Sequence, residues 1–324
     1  MFTAAALTLP MLATATGCVT VHGERAVIPS VSSRAEAAEV LRKFTDGYNE
    51  AYRKLDPALV DRVEGGALAE IAKADLAAQR AVTPGGNPGY PALALRDARF
   101  TIPKSAGWPK FFVADTLSNR DRNRWLVVFT RDAARAPWKA AYLTLLAPGK
   151  VPEFTTDEDG YAEAVPASGE SGTAVAPGAL SRAYTEFLRT GNSGPFLPGG
   201  PPAQLREERA KLARTPTFWT EYIDTPDKAP EFPPLALRTV GGGAMVFFTA
   251  HHREKRTMVK GVRPSVTEPR TKALLKGDLK QAVTYTRVSE SAVKVPAKET
   301  PGAPGGARTV FVNRIESLIA VKGE

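Results

Sequence analysis

The sequence is poor in the residues on which most enzyme chemistry and metal binding depend. Its 324 residues include one cysteine and three histidines. A single cysteine excludes a disulfide framework within the chain. The few histidines lack a zinc-ligand spacing, and no G-x-S-x-G segment occurs, so neither a metal site nor a serine hydrolase is indicated. We therefore predict no catalytic residue, no metal and no cofactor.

Charge is missing from the start of the chain. No Lys, Arg, Asp or Glu precedes Glu24, and residues 2–15 are apolar or small. This run is too short to cross a bilayer, which takes about 20 apolar residues. It is typical of the hydrophobic region of a secretory signal peptide. Since such a peptide normally begins with basic residues, we expect the natural start to lie upstream of Met1.

Cys18 follows the small residues Ala15, Thr16 and Gly17. This segment looks like a bacterial lipobox, in which a peptidase cuts before a cysteine that carries a diacylglyceryl group, although a lipobox usually has leucine where this chain has Ala15. The sequence therefore predicts a lipoprotein signal peptide over residues 1–17 and lipidation of Cys18. The protein would be lipid-anchored to the cell membrane on its extracellular face. A plain secretory peptide and an uncleaved transmembrane helix are the alternatives.

The composition predicts a folded protein that carries positive charge. Hydrophobic residues at 43% and charged residues at 24% are ordinary for a globular protein, and the length suggests two domains. The net charge of +9 attracts the protein to anionic lipid or wall polymer over a Debye length, roughly 8 Å at physiological salt. No basic helix, zinc-ligand set or RNP-like strand accompanies this charge, so nucleic acid is not an expected partner.

The hydrophobic pattern changes from helix to strand within residues 34–148. After a tether over residues 18–33, a spacing of three and four predicts helices that begin after Ser33 and at Asp56-Pro57. A period of two then predicts four strands. These strands are Leu93 to Ile102, Lys110 to Leu117, Trp125 to Arg131 and Trp138 to Leu146. Helices followed by consecutive strands predict an α+β module with helices on one face of a curved antiparallel sheet.

Residues 149–178 are acidic and then rich in Gly, Ser and Pro, which predicts a junction between domains. Residues 179–324 repeat the plan of the first module, with helices followed by strands, and Gly191 is predicted to end the first of these helices. The predicted strands are Leu235 to Thr239, Ala244 to His252, Ala282 to Ser289 and Thr309 to Val321, with a flexible hairpin tip at Thr300 to Ala307. The similar segments PALALR and PLALR open the first strand of each half. The sequence therefore predicts two similar α+β modules.

Basic residues cluster twice, in a hairpin loop of the first module and at a strand end of the second. The two triplets are Arg120, Arg122 and Arg124, and Arg253, Lys255 and Arg256. We predict that they form a basic patch able to reach an anionic surface or polymer, with ordinary solubilising charge as the alternative. The neighbouring His251 and His252 point to opposite faces of their strand, so they are not expected to share a metal ion.

The lipobox at Cys18, the junction over 149–178, and the segments FTIPKSAGWPKFFVAD and NRWLVVFTRD resemble an uncharacterised family of Streptomyces-type secreted lipoproteins. The plan of helices followed by a curved sheet is similar to tandem NTF2-like or cystatin-like modules. Neither resemblance implies catalytic residues.

Three functions follow as hypotheses. We expect a non-enzymatic, lipid-anchored envelope protein that binds a partner protein, an anionic wall polymer or the membrane surface. The alternative is a small-ligand carrier with a pocket between helix and sheet. An unrecognised envelope hydrolase is the least favoured of the three.

Overall fold

The computed structural model describes residues 26–298 and 308–324. The helices within these ranges are α1 (Arg34–Lys54), α2 (Pro57–Val60), α3 (Gly66–Val82), α4 (Leu180–Thr190), α5 (Gly200–Ala213) and α6 (Pro269–Ala273). The strands are β1 (Ile28–Pro29), β2 (Leu95–Thr101), β3 (Pro103–Ser105), β4 (Lys110–Ser118), β5 (Arg124–Arg131), β6 (Lys139–Leu146), β7 (Ala162–Glu163), β8 (Phe218–Pro226), β9 (Leu235–Arg238), β10 (Ala244–Met258), β11 (Leu275–Lys276), β12 (Ala282–Val295) and β13 (Val310–Gly323). None of these helices is both long enough and apolar enough to cross a bilayer.

Two antiparallel meanders form the main sheets. The first sheet has the strand order β2-β4-β5-β6. The second has the order β8-β10-β12-β13, with β9 beside the start of β10 and β11 parallel to β13. Helices precede the four-stranded meander in each half, so the predicted α+β class is confirmed. The division into two independent modules stays a prediction.

The two sheets pack face to face. Neighbouring residues of a strand point to opposite sides, so β4 directs Phe112 toward α1 and Phe111 and Val113 toward the second sheet. From the second sheet, Met245 and Phe247 enter the same apolar cluster as Phe111 and Val113. The first seven residues of β4 are buried in succession because both of its faces are covered. The halves therefore share a hydrophobic core.

A helix layer covers the outer face of each sheet. Phe44 of α1 packs against Phe129, with ring centroids 5.6 Å apart. On the other side of the molecule, Tyr184 of α4 packs against Phe248 at 5.9 Å. The sequence of layers is thus helix, sheet, sheet, helix, which is how two half-apolar sheets can bury all four faces.

Helix α3 connects the halves at one side of the sandwich. Its buried positions are mostly alanine, which lets its backbone approach neighbouring elements closely. It contacts β6 of the first sheet, β12 and β13 of the second sheet, and α6. In the first half, its Leu76 packs in a separate apolar cluster with Leu55 and Leu59.

Several predicted chain signals are confirmed. The hydroxyl of Ser33 accepts a hydrogen bond from the Glu36 amide at the start of α1, and Asp56 caps α2 in the same way. Gly191 ends α4 in the left-handed region, at φ +83°. The first sheet matches the four predicted strands within two residues at each end.

Other elements differ from the predictions. The helix predicted to begin at Asp56-Pro57 ends after one turn as α2, and a separate helix, α3, follows from Gly66 to Val82. Strand β8 was not predicted, because each of its faces carries both apolar and polar residues, so the chain shows no apolar-polar alternation. Strand β10 runs on to Met258, well past its expected end at His252, because β8 and β12 pair with its second half.

The predicted tether and junction are partly built into the fold. Ile28–Pro29 pairs with β3, and Val31 is fully buried against the α1 cluster, so the tether ends before Ile28 rather than at Ser33. Within the junction, β7 pairs with β3 of the first half, and the Val165 amide donates to the Ala236 carbonyl of the second half. The hairpin tip predicted at residues 300–307 lies outside the described residues.

We predict that Phe247→Ala lowers the free energy of unfolding by about 3–5 kcal/mol, since Phe247 is fully buried between the sheets. Because the halves share this core, both should unfold in one transition. Urea unfolding followed by tryptophan fluorescence and by circular dichroism measures both effects. The exposed Val240→Ala is the control and should change stability by less than about 0.5 kcal/mol. Two separated transitions would show that each half has its own core.

Candidate functional site

His251 joins the two halves of the molecule. It lies on β10, and its Nδ1 is 2.7 Å from the Asp227 carboxylate while its Nε2 is 2.8 Å from the carboxylate of Glu70 on α3. Burial alone would lower the pKa of His251, but the hydrogen bonds to Asp227 and Glu70 outweigh it and raise this pKa to about 9. At neutral pH the imidazolium therefore donates a hydrogen bond from each nitrogen and links the two halves. Because both nitrogens carry protons, the ring has no lone pair with which to act as a general base.

His252 points to the opposite face of β10, as its position in a strand predicts. Its Nδ1 is 2.6 Å from Asp224, and its Nε2 is 2.8 Å from the Ser289 hydroxyl. Burial lowers the pKa of His252, although Asp224 opposes this, so the ring is neutral at pH 7. The order acid, imidazole, hydroxyl is that of a serine hydrolase triad. This group was not predicted from the sequence, since Asp224 lies on the unpredicted strand β8.

Burial argues against catalysis by this triad. Ser289 is 0% exposed and lies in the middle of β12, whereas a hydrolase serine stands on an exposed turn. The side chain of His252 packs edge-on against the Tyr184 ring at 5.9 Å. The Asp224 carboxylate also accepts hydrogen bonds from both Nη groups of Arg209, at 2.8 and 3.0 Å. The group is a hydrogen-bonded network under α4 and α5, in which the His252 side chain is 3% exposed and borders a small cavity of about 140 Å³.

Two further carboxyl groups are buried at the interface of the halves. Glu64 precedes α3, and Glu290 of β12 accepts a hydrogen bond from the Leu143 amide of the first sheet at 3.2 Å. Each has one Oε2 atom without a hydrogen-bond partner among the described residues. Burial raises the pKa of Glu64 to about 8 and that of Glu290 well above its ordinary value. Burial therefore favours the neutral, protonated form of both carboxyl groups.

The first predicted basic triplet is not a surface cluster. Arg124 is buried, and its guanidinium is bonded to the carboxylates of Asp115 and Asp97, so its assignment to an exposed patch was wrong. The long side chain of Arg120 is half-buried, donates to the Pro91 carbonyl and lies over a tyrosine ring. Arg122 is exposed.

The second triplet lies within β10 rather than at a strand end. Lys255 pairs with Glu324 at 2.7 Å, and Arg256 pairs with Glu254 at 2.6 Å, so two of its three charges are already matched by carboxylates. Arg253 is exposed. Anionic-polymer binding by either triplet stays a prediction, with Arg122 and Arg253 as its most accessible members.

Two sizeable cavities open away from the helix layers. The rim pocket, about 570 Å³, combines the apolar Val113, Leu126, Val151 and Phe154 with the polar Arg99, Asp115, Arg124 and Glu153. The tether-side groove, about 520 Å³, is lined by Val27, Trp108, Phe111, Pro166 and Pro234 among others. The space between α1 and the first sheet, where the carrier hypothesis expected a pocket, is instead filled by phenylalanine rings.

Comparisons with known proteins identify relatives of nearly the whole chain. A family model described as a domain of unknown function, DUF8094, matches residues 29–315. An uncharacterised lipoprotein of Streptomyces avermitilis is 45% identical over 311 residues, which cover 96% of this chain and 92% of that protein. An uncharacterised lipoprotein of Streptomyces coelicolor is 46% identical over 312 residues, with the same coverage. A second lipoprotein of that species is 26% identical over 323 residues. No solved structure matches.

We predict that the protein loses stability as pH rises, and that Glu64→Gln removes part of this loss. Glu64 has a folded pKa of about 8 against an ordinary value of 4.5, so its neutral form favours folding, and this stability is lost as pH rises between those values. The loss is about 1.4 kcal/mol per unit of pKa difference. The stabilisation by His251 is present below about pH 6.5 and lost as pH rises through about 9.

Urea unfolding at several pH values from mildly acidic to mildly alkaline measures this effect. The variant Glu64→Gln should show a flatter decline below pH 8, while the decline due to His251 remains. Glu158→Gln, which changes an exposed carboxylate, is the control. If the curves of Glu64→Gln and wild type run parallel, Glu64 does not titrate as described.

Proposed function

Because the chain belongs to the DUF8094 family, which includes lipoproteins of Streptomyces, we propose that it is a non-enzymatic, lipid-anchored envelope protein that acts by binding. The relationship to Streptomyces lipoproteins predicted from the sequence is confirmed by these relatives. Its membrane-anchored location is confirmed with it. The NTF2-like resemblance stays a prediction.

Cys18 is our candidate for the lipidated residue, although it lies outside the described residues. It is the single cysteine of the chain and follows three small residues. A diacylglyceryl thioether adds two acyl chains, and each buried methylene contributes about 0.8 kcal/mol to membrane binding. Two chains are enough for stable anchoring, so no other membrane segment is needed for this function.

One observation carries the non-enzymatic proposal: the side chains that could act in catalysis form hydrogen bonds within the protein instead. His251 is held between two carboxylates, and His252 and Ser289 are enclosed beneath α4. A nucleophile or base needs access to substrate as well as a suitable pKa. Both nitrogens of His251 are bonded to carboxylates, and the side chain of His252 is only 3% exposed, which supports binding over catalysis.

The rim pocket favours a second candidate function, that of a small-ligand carrier. Its volume of about 570 Å³ lies in the range of ligand sites, about 300–1,000 Å³. Apolar side chains from the first sheet and the following loop line it together with the exposed Arg99. An amphipathic ligand with an acidic head and an apolar body would match this lining.

We predict that Cys18→Ala releases the protein into the medium or leaves it as an unprocessed precursor, because the lipid attachment site is lost. Cell fractionation followed by immunoblotting measures this. Thr20→Ala, two residues further on, is the matched control and should stay in the membrane fraction. If Cys18→Ala remains with membranes after a high-salt wash, lipidation is not what holds the protein there.

We also predict that the rim pocket binds dansyl undecanoate, a fluorescent amphipathic carboxylate, and that Val151→Trp weakens this binding roughly tenfold or more, about 1.4 kcal/mol, by filling the cavity. Fluorescence titration measures the dissociation constant. Ala167→Trp, in the tether-side groove, is the control and should bind normally. The carrier function is contradicted if wild type shows no saturable binding, or if both variants lose affinity equally.

A further inference from the structure

We propose that the protein lies on the membrane with one defined face, and that this face is the tether-side groove together with Val27, Ile28 and Trp108. Its partner is the headgroup region of the lipid bilayer. This inference rests on the proposed lipid anchor at Cys18 and names the surface that the anchor holds against the membrane.

The length of the chain between anchor and fold limits which surface can reach the membrane. The residues from Cys18 to Ala26 span at most about 29 Å when fully extended. A folded chain of this length has a radius of gyration of about 20 Å, which corresponds to a body about 50 Å across. The fixed part begins with Ile28, which pairs with Ser105 of β3. The side of the molecule that carries β1 and β3 is therefore held nearest the bilayer.

Apolar side chains are exposed at this point of the molecule. Val27 is 63% exposed, Ile28 is 52% exposed and Trp108 is 45% exposed. Val27 and Trp108 line the same groove, and β1 pairs with β3 three to four residues before Trp108, so the three side chains form one surface. Tryptophan is the side chain most typical of the membrane interface, because its ring is apolar and its N–H remains bonded to water or headgroups.

Two cations beside this surface, Lys104 and Arg131, are already paired with carboxylates of the protein. Lys104 lies 2.6 Å from Asp157 and 3.0 Å from Asp159. Arg131 is 3.7 Å from Glu36, and its guanidinium lies 5.7 Å from the centre of the Trp108 ring. A surface of this kind contacts lipid through apolar burial rather than through net charge. The contact should therefore persist at high salt, unlike binding by the basic triplets.

A second exposed tryptophan provides an internal comparison. Trp219 and Ile223 are exposed on β8, the edge strand of the second sheet. Neither lines the tether-side groove, and Trp219 instead faces Thr257 of β10. The geometry gives Trp108, and not Trp219, the position beside the anchor.

Depth-dependent fluorescence quenching tests the proposal on the full lipidated protein. The protein is purified from membranes and reconstituted into phosphatidylcholine vesicles with ordinary or brominated acyl chains. Brominated lipid should quench part of the tryptophan fluorescence of wild type, at low and at high salt. Trp108→Phe should lose most of this quenching, whereas Trp219→Phe should keep it.

A charge placed on the surface gives a second test that retains Trp108. Val27→Asp should reduce quenching, because a carboxylate in the headgroup region must be hydrated. Val240→Asp is the matched control, since Val240 is 61% exposed but lies at the turn between β9 and β10, and it should quench as wild type does.

Vesicle flotation separates failure of this inference from failure of the anchor. Protein that does not float with vesicles lacks the anchor, which contradicts the proposed function. Protein that floats without quenching, or whose quenching is lost in Trp219→Phe instead, overturns the proposed face. If Trp108 is shielded from water but is not quenched by brominated lipid, a protein partner covers this surface. That result would also overturn the proposed membrane face.

Discussion

The apolar contact between the two sheets is the interaction on which the rest of the molecule depends. Phe111 and Val113 from β4 meet Met245 and Phe247 from β10 in one buried apolar cluster. Each sheet has a second apolar face, which in turn requires a helix layer to cover it. The order of layers, the burial of β4 on both faces and the seating of α3 against both halves all follow from this contact. The relation between the halves is thus fixed by the core itself.

Polar groups at the same interface determine how the sheets are aligned. An apolar contact is non-directional, whereas the bonds of His251 to Glu70 and of Glu290 to the Leu143 amide are satisfied in one arrangement only. Burying a carboxyl group is unfavourable in its charged form, so burial raises the pKa of Glu64 and of Glu290 and favours their neutral forms. These residues cost stability at high pH, and they are consistent with a role in specifying one alignment of the halves.

The same arrangement explains why the surface, rather than the interior, carries the proposed function. In the interior, the two described histidines and the buried acids form hydrogen bonds that hold neighbouring strands and helices together. The accessible surface includes a cavity at the rim of the sandwich and an apolar face beside the tether. A protein held at a membrane by lipid requires little affinity of its own for the bilayer. A few exposed apolar residues are enough to orient it.

The structural features that depend on residues close together in the chain could be predicted from the sequence. The start of α1 at Ser33, the end of α4 at Gly191 and the strands of the first sheet follow from local caps and periodicity, and they were predicted correctly. The lipid anchor also depends on a short contiguous segment. Opposite orientations of His251 and His252 follow from strand geometry alone.

Only the tertiary structure determined which residues the two histidines and the buried acids contact. Glu70 lies 181 residues from His251 in the chain, and Glu290 lies 147 residues from Leu143. No local pattern encodes such pairings. The prediction that Arg124 belongs to an exposed basic triplet was wrong for the same reason. Its charge is paired with carboxylates of β4 and of the bulge in β2, which the local sequence does not reveal. Local hydrogen bonding and periodicity are properties of the sequence, whereas burial and charge pairing arise when distant strands come together in one core.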